Sequence, residues 1–124
     1  MAVSTISGTK IVYPTLNTAK FKPYNNNEAN KPIMYVRNGV VTLAGMVAPS
    51  VQLSDDDGHL ICTIPQGYRP KFELQSIMQG SGTARWDLKI TTSGEVLLQR
   101  YSDNTVAQTL PTWVYLPFHA TWVV

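Results

Sequence analysis

The chain has 124 residues, of which 44% are hydrophobic and 15% charged, with a formal net charge of +2. That balance excludes a disordered chain and suits one domain that buries roughly two-thirds of its unfolded surface. The basic residues are scattered, with Lys20 and Lys22 the nearest approach to a cluster, so no patch stands ready to neutralise nucleic-acid phosphates. No run approaches the roughly 18 apolar residues of a membrane helix, and the opening MAVSTISGTK has no apolar signal core. The expectation is a protein that stays in the cytosol or leaves it within an assembled particle, with neither nucleic acid nor membrane as a partner.

In chain order, residues 1–32 differ from the rest. KIVYP could form a short strand, but NTAKFKPYNNNEANKP follows it. Asparagine favours turns and proline lacks the backbone donor, so the reading is an irregular N-terminal arm or linker lying along a neighbour. The head domain is expected over 33–124. IMYVRNGVVTLAGMV holds two β-rich runs around Asn38-Gly39, a pair that accepts both positive φ angles of a type I′ hairpin turn. Gly45, inside the second run, suggests a bulge or a close backbone approach.

SDDDGH then reads as a turn, HLICTI as a strand and PQGYRP as a rigid loop. KFELQSIMQ alternates, with Phe72, Leu74, Ser76 and Met78 on one face. GSGTARWDLKITTSGEVLLQRYS is a hairpin in which Trp86, Leu88 and Ile90 alternate with Asp87, Lys89 and Thr91, turning at Ser93-Gly94. After SDNTVAQTLP, the runs TWVYL and FHATWVV are expected as two closing strands separated by Pro117. Nothing repeats at i, i+3, i+4 and i+7 over three turns, which excludes a substantial helix. The pattern predicts an all-β fold, an antiparallel β-sandwich or barrel of seven to eight short strands with an irregular N-terminal arm.

Reactive groups are few. His59 and His119 fall in or beside strands and read as solvated or satisfied side chains. The lone cysteine, Cys62, can make no intrachain disulfide and reads as a buried structural thiol. Calcium loops place their ligands at alternate positions because adjacent side chains diverge, so Asp55–Asp57 before Gly58 read as a solvated turn. Nucleophile-elbow, zinc-hydrolase and phosphate-loop motifs are missing from the sequence. No catalytic residue, cofactor or metal site is predicted, and the chain does not read as an enzyme.

The three tryptophans and six tyrosines are more informative. A sugar ring is amphiphilic, and a flat aromatic side chain meets its C–H face at small entropic cost while Asn, Asp and Arg take the hydroxyls. Candidate saccharide-binding residues are Arg85, Trp86, Tyr101, Asp103 and Asn104, with His59 and Asp57 further out. Trp86 has a second reading, because it is in phase with Leu88 and Ile90 and so with the core. Trp113 and Trp122 are expected to be packing residues.

VRNGVVTLAGMV, IPQGYRPKFELQSIMQGSGTARWDLKITTSGEVLLQRY and WVYLPFHATWVV together resemble the C-terminal head-like domains of siphophage baseplate and tail-tip proteins that act on Gram-positive hosts. These include receptor-binding and upper baseplate proteins. The resemblance spans about 33–124 and rests on the order of Gly45, the Pro65–Pro70 loop, Gly80 to Gly82, and Ile90 with Gly94 and Val96. It implies a homotrimeric head at the tail tip of a virion, binding host cell-wall polysaccharide for adsorption and contacting other baseplate proteins. The alternative is a structural baseplate carrier that docks other subunits through its arm and sheet edges without binding sugar. The asparagine-rich arm stands where the longer receptor-binding proteins have a shoulder and neck.

Overall fold

The computed structural model describes residues 3–6, 8–54, 58–103 and 109–124, with the backbone alone for 3–6. It is an antiparallel all-β architecture. Its strands are β1 (Val3–Ile6), β2 (Thr9–Val12), β3 (Thr15–Leu16), β4 (Phe21–Pro23), β5 (Ile33–Arg37), β6 (Val40–Pro49), β7 (Leu53–Ser54), β8 (His59–Thr63), β9 (Leu74–Gln79), β10 (Arg85–Ile90), β11 (Glu95–Ser102), β12 (Thr109–Leu110) and β13 (Leu116–Val123). One sheet runs β1-β2-β5-β6-β13, with β4 also paired to β6, and a second runs β3-β8-β11-β10-β9. A short β12-β7 pair accompanies them.

Asn38 (φ 51) and Gly39 (φ 77) make the expected turn between β5 and β6. Gly45 is a close-approach glycine: a Cβ there would stand 2.8 Å from Phe118 Cζ and 3.0 Å from Pro32 Cα. Inward residues of both sheets form one core, in which Val12, Met34, Leu43, Trp86, Leu88 and Phe118 are buried. Trp86 and Phe118 join the sheets edge to face, with centroids 6.2 Å apart and planes at 77°. The edge strands β9 and β13 converge. A Cβ at Gly80 would lie 3.0 Å from the Tyr115 carbonyl at one end, and Leu74 and Trp122 border one groove at the other.

Three expectations need correction. Residues 9–23 are not an irregular arm: β2 pairs β5, β3 pairs β8, β4 pairs β6, and Val12 and Phe21 sit in the core. Strands of two to four residues between prolines and asparagines are too short to show a period of two. The irregular part is the stretch around two 3₁₀ turns, Tyr24–Asn26 and Glu28–Asn30. There Asn25 and Asn26 take positive φ, and the Asn27 side chain accepts from the Ala29 amide at 3.0 Å.

The closing pair is one strand, β13, with Pro117 inside it. Because β13 ends the sheet order, one of its flanks has no ladder for proline to break. Trp113 falls in the turn before β13 and is 73% exposed, so it is not a packing residue, whereas Trp122 is buried. Trp122 Nε1 donates to the Tyr68 carbonyl at 2.7 Å, tying the 65–70 loop to the strand.

Candidate functional site

The hairpin of β10 and β11 carries the site. Alternation along β10 turns Trp86, Leu88 and Ile90 into the core and leaves Arg85, Asp87 and Lys89 on the outer face. The register with β9 sets Gln79, Ile77 and Gln75 beside those three. On the other side Asp87 faces Gln99 and Arg85 faces Ser102. Between those two pairs, Arg100 and Tyr101 together oppose Trp86 alone, so β11 bulges there. Arg100 is the left-handed residue of the bulge, with φ 53.

The bulge aims Arg100 across the outer face, where its Nη1 donates to Asp87 Oδ2 at 2.8 Å. Ile77, Arg85, Trp86, Asp87, Arg100 and Ser102 border a depression of about 290 Å³. A second depression of about 550 Å³ adjoins it, bordered by Ile77, Gln79, Gly82, Thr83 and Arg85. Ile77 is 69% exposed and stands between them. Gln79 Nε2 donates to the Gly82 carbonyl at 3.0 Å, which ties the 80–84 loop to the sheet. Among the described residues Arg85 has no ion-pair partner. The face thus sets two guanidiniums, one carboxylate, a side-chain amide and an apolar platform on rigid strands.

Of the residues named from sequence, Arg85 lies in this face. Trp86 borders the same depression, but its side chain is wholly buried and offers no ring face to a ligand. Its Nε1–H has no hydrogen-bond partner among the described residues. Tyr101 packs against the core, and its hydroxyl lies 3.5 Å from Asp103 Oδ2. Burial, then the Asp103 carboxylate, pushes that hydroxyl above the usual phenol range, so it stays a neutral donor.

His59 is buried far from a ligand's reach. Its Nε2 donates to the Ser54 carbonyl at 2.7 Å, so its Nδ1 is the acceptor for Lys20 Nζ at 3.3 Å. This ties the turn before β4 to β7 and β8 and is a structural role. Asn104 and Asp57, with the rest of the Asp55–Asp57 run, lie outside the described residues.

Sequence reasoning passed over Ile77, Gln79 and Arg100. An apolar residue at an outward strand position signals Ile77, since Ile77 and Met78 cannot both face the core. Arg100 carries no such signal, because a left-handed arginine is not readable from residue type. Comparison with protein-family models, curated proteins and solved structures finds no match for this chain.

Proposed function

We propose that this chain is a saccharide-binding head module of a phage tail tip, and that the saccharide docks on the outer face around Arg85, Asp87 and Arg100. The observation that carries the reading is the convergence of those three side chains beside exposed Ile77 on a rigid sheet. A carboxylate held by a guanidinium keeps acceptor capacity for a hydroxyl, and guanidinium forks donate to adjacent sugar oxygens. Ile77 offers an apolar surface to the C–H face of a ring. Two guanidiniums against one carboxylate favour a saccharide with an anionic substituent over a neutral one.

The resemblance over 33–124 supplies the setting: a virion component acting at the Gram-positive cell surface, with cell-wall polysaccharide as its ligand and other baseplate proteins as its neighbours. An open, shallow site binds weakly, and display in several copies raises avidity by about 100-fold or more where the geometry allows. The test is titration of purified cell-wall polysaccharide into the protein and its Arg85→Ala and Asp87→Ala variants. Each substitution is expected to weaken binding about 10-fold or more. Binding that survives both would move the site elsewhere, and no binding by the folded parent would favour the carrier reading.

A further inference from the structure

We infer that Lys71-Phe72-Glu73 and the groove beside it form a self-association surface, through which two copies pair about a two-fold axis. Phe72 precedes β9 and is 79% exposed, the most exposed of the large apolar side chains described. It does not close the groove it borders. That groove measures about 310 Å³ and is otherwise walled by Pro70, Lys71, Leu74, Trp122 and Val123. Val123, itself 66% exposed, lies opposite partly exposed Val40 and extends the apolar surface. Scattered exposed apolar residues are ordinary, but a projecting ring beside an unfilled apolar groove is a knob and a hole on one patch.

The flanking charges identify the occupant as a second copy. An isologous interface needs a patch complementary to itself. Opposite charges on either side of Phe72 meet that need. With the segments antiparallel about the axis, each Phe72 enters the other's groove, and Lys71 meets the partner's Glu73. Glu73 also lies 3.4 Å from Lys89 on its own chain, and its side chain is 51% exposed, which leaves it reachable.

The groove lies at the Leu74 end of β9, and the polar depressions run from Ile77 to Gln79, about 10–16 Å away along the strand. Pairing therefore leaves the polar face open. A homotrimer, by contrast, requires a head-to-tail contact between unlike patches.

Sedimentation equilibrium of the chain across the micromolar range tests this without any saccharide. The expected mass is twice the 13.7 kDa of one chain. Phe72→Ser should weaken association about 30-fold or more while leaving the circular dichroism spectrum of the native state unchanged, since the ring is exposed, and should lower Tm only by the stabilisation that association supplied. Lys71→Glu and Glu73→Lys should each weaken it, and the double reversal should restore it. A monomer or trimer for the parent chain would overturn the inference. So would a dimer indifferent to Phe72→Ser, or single charge reversals without effect.

Discussion

The guanidinium of Arg100 lies 2.8 Å from the carboxylate of Asp87 because Arg100 occupies the left-handed position of a bulge. A regular ladder would place one residue opposite Trp86, and residue 100 would follow the plain alternation of β11. The extra residue re-aims the side chain over Asp87 instead. An arginine held at positive φ is strained, by about 1 kcal/mol relative to glycine. Strain of this kind concentrates where a side chain is needed in one place.

Arg100→Gly separates that strain from function. The exposed ion pair contributes only about 0–1 kcal/mol, and glycine relieves the backbone. Thermal unfolding should therefore show stability within about 1 kcal/mol of the parent, while polysaccharide affinity drops about 10-fold. A large fall in Tm would mean that Arg100 holds the hairpin together.

Trp86 should behave as a core residue. Trp86→Ala is expected to cost about 3–5 kcal/mol in chemical denaturation. Trp86→Phe should cost well under half of that, because the indole N–H has no partner among the described residues and leaving a donor unpaired is itself unfavourable by about 1–3 kcal/mol. Saccharide affinity of the folded Phe variant should equal that of the parent. Loss of affinity with the fold intact would restore Trp86 as a ligand platform.

Two glycines at positive φ should respond differently to alanine. Gly39, at φ 77, has its nearest neighbour, the Val124 carbonyl, 3.6 Å from a built Cβ, so Gly39→Ala should cost only the conformational term of about 1 kcal/mol. Gly94, at φ 90, would drive a Cβ into Arg69 Nε and to 2.6 Å from the Ile64 carbonyl. It would disturb the bond that Arg69 Nε donates to that carbonyl at 2.8 Å. Gly94→Ala should therefore lose roughly 1–3 kcal/mol more than Gly39→Ala, read from denaturation midpoints. Equal losses would mean that the 65–70 loop yields freely.

Burial pushes the Cys62 thiol far above the ordinary thiol range. The thiolate is the reactive form, so a thiol-specific reagent should leave the native protein unlabelled at neutral pH. Labelling should appear only as fast as the protein opens, and should speed up with denaturant. Rapid labelling of the native state would contradict the packing of β8 against β3 and β11.

Much of the β5-β6 and β10-β11 hairpins was legible because their signals are local. Asn38-Gly39 and Ser93-Gly94 mark turns, and the alternation from Arg85 to Ile90 gives the inward and outward faces directly. Gly45 announced a close approach and is one. The rest depends on pairing distant in sequence. Phe21 reaches the core only because Pro49, its partner on β6, lies 28 positions later. Pro117 reads as a break unless β13 is known to be an edge.

The candidate site was half visible for the same reason. Arg85 follows from alternation along one strand, whereas Arg100 depends on a bulge and Ile77 on the register of β9 with β10. His59, an outlying candidate from the sequence, has both ring nitrogens occupied, by Ser54 and Lys20.

The central claim is that the Arg85–Asp87–Arg100 face binds a cell-surface saccharide. Its most direct test is staining of a panel of intact Gram-positive cells with the fluorescently labelled protein and with its Arg85→Ala variant, using purified cell-wall polysaccharide as competitor. The account predicts strain-selective staining that polysaccharide removes and that the folded variant lacks. Staining of no strain by the folded parent, or equal staining by parent and variant, would contradict it.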